Sequence, residues 1–99
     1  MKVKLADQVT TFIRALPPQP RRRLRLAIPK LESERGDIKQ LEGPLRAYSR
    51  LRVGPYRILF TKANDPDDGM CIYCIFAERR DTVYAVFSDI VQQQLLRDR

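Results

Sequence analysis

The chain contains no histidine. That removes the side chain that most often moves protons near neutral pH, so acid–base chemistry must use Tyr, Lys, Arg, Asp, Glu or Cys. Cations dominate the inventory instead. Lys and Arg number 19 against 12 Asp and Glu, a formal charge of +7, and 14 of the 19 cations are arginines. A planar guanidinium meets phosphate oxygens two at a time, whereas an ammonium is a flexible point charge, so an Arg-heavy chain leans towards a polyanionic partner.

The arginines alternate most regularly between Leu45 and Lys62. Leu45, Ala47, Ser49, Leu51 and Val53 alternate with Arg46, Tyr48, Arg50 and Arg52, and Tyr56, Ile58 and Phe60 alternate with Arg57, Leu59 and Thr61. Gly54-Pro55 separates the two runs. A type II′ turn with Gly first pairs Val53 with Tyr56 and sets Arg52 opposite Arg57. Arg46, Tyr48, Arg50, Arg52 and Arg57 then line one face of the hairpin, with Leu51 and Ile58 on the other. Like charges opposed in a sheet cost stability, and nothing acidic lies between Leu45 and Thr61. That face therefore either binds phosphate or splays its arginines into water.

Other candidate motifs carry less. Cys71 and Cys74 have C-x-x-C spacing, but inside a strand they point to opposite faces and no histidine or further cysteine completes a zinc set. They read as reduced structural cysteines, at least one of them in the core. The aspartates of Asn64–Gly69 resemble a calcium loop, yet the acid that would complete it falls at Phe76, so no metal and no cofactor is expected. The Arg21-Arg22-Arg23-Leu24-Arg25 run is a solvated helix stripe or a grip on RNA backbone. Glu78-Arg79-Arg80-Asp81 closes the third strand and is either a surface turn with internal ion pairs or a route for two arginines and Tyr84 to converge on the basic face.

The elements that must position these residues follow from periodicity. Val9, Phe12, Ile13 and Leu16 give a helix over 7–16 that Asp7 can cap and that Pro17 and Pro18 end. Leu24, Ala27, Ile28 and Leu31 give a second, opened by Pro20 and kinked or stopped at Pro29. Strands follow at Leu45–Val53, Tyr56–Lys62 and Met70–Ala77, then a short extended piece at Thr82–Ala85 and a terminal helix carrying Phe87, Ile90, Val91 and Leu95. The expected architecture is α+β, one domain over residues 1–99, with a short N-terminal strand, two N-terminal helices packed on one face of an antiparallel sheet of three or more strands, the other face open and a C-terminal helix. No segment has the apolar length of a membrane span and the start lacks a signal-peptide pattern, so the expected compartment is the cytoplasm.

Three segments together, Leu41-Glu42-Gly43, Arg50-Leu51-Arg52-Val53-Gly54-Pro55-Tyr56-Arg57-Ile58-Leu59-Phe60 and Ala77-Glu78-Arg79-Arg80-Asp81-Thr82-Val83-Tyr84, resemble the RelE/ParE toxin superfamily in order and spacing. The resemblance implies a microbial ribonuclease-like (RelE-like) fold, a cognate antitoxin partner and ribosome-dependent endonucleolytic cleavage of mRNA. It also implies that Arg57 holds the scissile phosphate, that Tyr84 is the late tyrosine and that Arg79 or Arg80 is the late catalytic arginine. The sequence departs from the family pattern at Ala77 and Glu78, where a glycine and a basic residue are usual, and at Tyr48-Ser49, where active members carry lysines. In the implied chemistry the 2′-hydroxyl of the message attacks the adjacent phosphate, with Tyr84 as base, Arg57 and Arg50 on the phosphorane and Arg79 or Arg80 at the leaving group. Arg46, Tyr48, Arg50 and Arg52 would hold the RNA. The superfamily also contains non-enzymatic DNA gyrase inhibitors, so that activity, and an inactive RNA-binding role, stay open.

Overall fold

The Gly54-Pro55 turn organises the sheet. In the computed structural model, which describes residues 1–97, Gly54 has a φ of 58° and joins β3 (Ser49–Val53) to β4 (Tyr56–Asp65). Left-handed backbone is open to glycine at little cost, and Pro55 pre-sets the next φ. Val53 pairs with Tyr56, Arg52 with Arg57, Leu51 with Ile58 and Arg50 with Leu59, the register that the alternation predicts. β5 (Gly69–Arg79) adds antiparallel to β4, and β1 (Lys2–Leu5) adds parallel to β5, which makes the five-stranded sheet mixed. The remaining edge is β2 (Asp37–Gln40), antiparallel to β3 and not expected from the sequence.

One face of this sheet carries the larger core. Leu51, Ile58, Phe60, Ile72, Cys74 and Ala77 meet α1 (Asp7–Arg14) and α2 (Pro18–Ala27) through Val9, Ile13 and Leu24. The first turn of α1 is preceded by Ala6 as its cap, with Asp7 inside the helix and no side-chain cap bond, so the expected capping role of Asp7 is not realised. Pro29 has the predicted effect: α2 gives way to a tighter 3-10 segment at Ile28–Ser33, which still buries Ile28 and Leu31.

The other face is not left open. Between Leu59↔Phe76 and Phe60↔Cys74 the register slips, so Ile75 is an extra residue in β5 and the strand's inward set changes partner. Beyond that bulge Phe76 joins Leu59 on the second face. There Val83 and Phe87 of α3 (Val83–Arg97) close a smaller core over them. The Thr82–Ala85 stretch is therefore not extended: α3 starts within it, and Tyr84 belongs to the helix's first turn. Cys74 lies in the larger core and Cys71 opposite Lys2 and Ala63; both are buried and unbridged, and burial pushes the Cys74 thiol up to about 12.

Candidate active site

Across the second face the strands place charges in rungs. Paired residues share a face, so Asp37, Arg52, Arg57 and Glu78 form one rung from β2 to β5, and Lys39, Arg50, Leu59 and Phe76 the next. The two arginines that oppose one another in the hairpin are thus flanked by carboxylates from the strands on either side. Arg50 Nη1 donates to the Asp37 backbone carbonyl at 2.9 Å and to Asp37 Oδ1 at 3.0 Å, and Arg52 Nε stands 3.9 Å from Asp37 Oδ2. The hydrogen bond from Arg50, joined by the fields of Arg50, Arg52 and Arg57, holds the Asp37 carboxyl below its ordinary value. The anion that the hairpin wanted is supplied in part by its own chain, from a strand the sequence did not reveal.

Arg57 lies on the predicted face, but it is only 9% exposed rather than solvent-open. Its Nη1 donates to the Gly54 and Tyr56 carbonyls, each at 2.9 Å, and thereby staples the turn. Both Nη1 hydrogens are used in this way, so a phosphate contact would fall to Nε and Nη2.

The structure draws other expected residues apart. Arg79 pairs with Tyr56 on the α1–α2 side of the sheet and places its guanidinium 5.8 Å over that ring, away from Arg50 and Tyr84. Arg80 sits in the following turn, its backbone N–H donating to the Pro55 carbonyl and its Nε 3.5 Å from Asp81. Tyr48 is half-buried and packs edge-on against Phe87 with ring centroids 5.0 Å apart. Arg46 lies outside β3, after a 3-10 turn at Gly43–Leu45, where its carbonyl accepts from Gln40 Nε2.

Where Leu41 and Glu42 leave β2, a hollow of about 280 Å3 opens between that strand, β3 and the first turn of α3; it is lined by Lys39, Gln40, Leu41, Glu42, Arg50 and Tyr84. This basin unites one phenol, one ammonium and one guanidinium, with Glu42 as a carboxylate beside them. Tyr84 is 36% exposed and so accessible to a ligand there. Nothing in the sequence marks Lys39 as a site residue, and Glu42 stands out only as part of the Leu41-Glu42-Gly43 segment. The signal for Lys39 was a single apolar residue, Ile38, in a four-residue strand, too little to show alternation.

The arrangement has relatives among solved structures. A YoeB/ParE toxin from Agrobacterium tumefaciens superposes with a TM-score of 0.63 at 12% identity, covering 81% of this chain and 99% of that one. A chain of the RelB-RelE antitoxin-toxin complex from Methanococcus jannaschii superposes with a TM-score of 0.58 at 24% identity, covering 82% of this chain and 94% of its own length. This is the RelE/ParE toxin fold. No family model and no curated protein matches the sequence. Within the RelE/ParE fold the basin occupies the sheet face partly covered by α3. Among the described residues no cluster of His, Cys, Asp and Glu gathers to hold a metal, and no helix is long and apolar enough to cross a membrane.

Proposed function

We propose that this chain is the toxin of a toxin–antitoxin pair and an endoribonuclease that cuts mRNA on the ribosome, in the cytoplasm. The observation that carries the reading is the basin in which Tyr84, Arg50 and Lys39 meet. In the proposed reaction the 2′-hydroxyl of the message attacks the adjacent phosphorus and the bond to the 5′-oxygen breaks, leaving a 2′,3′-cyclic phosphate and a 5′-hydroxyl. Tyr84, acting as its phenolate, takes the 2′-hydroxyl proton and becomes the phenol, and Arg50 stabilises the phosphorane with Arg57 behind it. With Arg79 turned to the other face, the proton for the leaving oxygen falls to Lys39, because an ammonium releases a proton more readily than a guanidinium.

Arg50 is engaged by Asp37 in the free protein, so phosphate must compete with a resident carboxylate. Slow intrinsic chemistry follows, and the ribosome supplies substrate positioning. The partner that silences the site is a cognate antitoxin with acidic and apolar residues, complementary to a +7 surface. The RelB-RelE complex among the structural relatives is an antitoxin-toxin assembly and supports that expectation.

A second reading, a non-enzymatic gyrase inhibitor or inactive RNA binder, is favoured by one observation: Arg57 is committed to the Gly54 and Tyr56 carbonyls, and Arg79 lies opposite Tyr56 on the other face of the sheet from the basin. The discriminating experiment is primer extension on mRNA bound to purified 70S ribosomes, run beside a gyrase supercoiling assay. Cleavage of ribosome-bound message with supercoiling intact supports the nuclease. Intact message with inhibited supercoiling makes the chain a gyrase poison.

A further inference from the structure

A second cationic surface surrounds the β3–β4 turn, apart from the basin. Arg23 reaches from α2 to the hairpin so closely that a Cβ on Gly54 would lie 2.7 Å from its Nη1. It stands between two hollows. One, of about 250 Å3, is lined by Gln19, Pro20, Pro55 and Tyr56 besides Arg23. The other, of about 360 Å3, opens where β2 begins opposite Arg52, and its wall includes Lys30, Asp37, Arg52 and Arg23. Arg79 sits over the Tyr56 ring at the far end. Lys30, Arg52, Arg23 and Arg79 therefore mark a path around one end of the molecule. Among the described residues Lys30, Arg23 and Arg79 form no ion pair, and Arg52 meets Asp37 only at 3.9 Å.

The chemistry of this path selects its ligand. α2 opens with Pro18-Gln19-Pro20, so two of its first three positions have no N–H, and anion binding there depends on guanidiniums rather than on main-chain amides. Guanidiniums favour phosphate, and the exposed ring of Pro55 with the half-buried ring of Pro20 offers an apolar floor to a sugar. Two small consecutive hollows suit a flexible single strand and not a broad, stiff duplex.

We propose that this path is a binding surface for the phosphodiester backbone of single-stranded RNA, separate from the basin, with Arg23 and Arg79 each neutralising one phosphate. The assignment rests on the proposed ribonuclease for its setting, but binding can be read without cleavage. A single-stranded RNA oligonucleotide 2′-O-methylated throughout cannot be attacked at its own phosphates, so its affinity for the full chain reports binding alone. Titrations across salt concentrations should give a linear fall of log K with log salt. The Arg23→Ala/Arg79→Ala double variant should bind about tenfold or more weakly at moderate salt and lower the slope by about 1.4, the contribution of two single-strand phosphates. Arg23→Gln/Arg79→Gln, which keeps more of the packing, should do the same. Arg25→Ala, which removes a charge from another side of α2, should leave the slope unchanged.

An unchanged slope in both double variants overturns the proposal, as does an equal change in Arg25→Ala, which would reduce the effect to net charge. Tighter, equally Arg23-dependent binding of duplex DNA or of a polyglutamate peptide would overturn the RNA assignment in favour of that ligand. Loss of the predicted slope change with cleavage intact sinks this surface alone. The slope change without any cleavage by wild type sinks the ribonuclease alone.

Discussion

Arg57 shows how far residue-level reasoning reached. Alternation placed it opposite Arg52 and on the correct face, because register follows directly from a two-residue turn. Its burial did not follow, since whether a long side chain extends or folds back depends on which carbonyls lie within reach, and the Gly54 and Tyr56 carbonyls do. Hydrogen bonds from a charged donor to such carbonyls contribute about 1.5–3 kcal/mol. Arg57→Ala should accordingly lower the midpoint of urea unfolding by an amount equivalent to about 2 kcal/mol. A variant as stable as wild type would show that the guanidinium is free to serve a ligand. Arg79 and Arg80 were indistinguishable in sequence because both stand where the strand ends; one pairs with Tyr56 and the other enters the turn, a difference of parity that only the β4–β5 register decides.

At the level of elements, the long amphipathic and alternating segments were legible and the short ones were not. α1, α2, β3, β4 and β5 have enough residues to display a period, and the break at Pro29 followed from proline's missing donor. β2 has four residues and one apolar side chain, so it leaves no pattern, yet it supplies Asp37 and Lys39 to the candidate site. The strand propensity of Val83-Tyr84 predicts an extended piece; packing of Val83 and Phe87 onto Leu59 and Phe76 overrides that preference and forms a helix. The helix that carries Tyr84 is therefore anchored through Phe87. Phe87→Ala should destabilise the fold by about 3–5 kcal/mol, the usual range for a buried phenylalanine, and weaken protection of the Val83–Val91 amides in hydrogen exchange more than that of α1. Uniform loss of protection would mean that α3 is not a separable unit.

The whole molecule holds its far end by charge. Lys4 Nζ lies 2.8 Å from Asp65 Oδ2 and 3.0 Å from Asp68 Oδ2, Lys2 Nζ lies 2.9 Å from Asp68 Oδ1, and the Tyr73 hydroxyl donates to Asp65 at 2.7 Å, which ties β1 to the β4–β5 turn. Hydrogen bonds from Lys4, Tyr73 and the turn amides hold the Asp65 carboxyl well below the usual range, and bonds from Lys2 and Lys4 lower Asp68. Carboxyls with depressed values add stability that is fully present above about pH 4 and is lost as pH falls through their folded values. Lys2 and Lys4 are raised, so their share is present below about pH 10.4 and fades at higher pH. Thermal melts should thus show a plateau between these limits, and Asp65→Asn should lower the plateau and flatten its acid edge; an unaltered acid edge would place the acid sensitivity elsewhere.

The central claim is that the basin of Lys39, Arg50 and Tyr84 performs phosphoryl chemistry on RNA. Tyr84 is exposed, so Tyr84→Phe should fold as wild type does; Arg50→Ala gives up the hydrogen bonds to Asp37 and should fold with somewhat lower stability. The most direct measurement is the single-turnover rate of mRNA cleavage on saturating programmed 70S ribosomes. Each variant should cut at least about a hundredfold more slowly than wild type, the scale on which a general base or a transition-state charge contact acts. Wild-type cleavage rates in both variants would contradict the account.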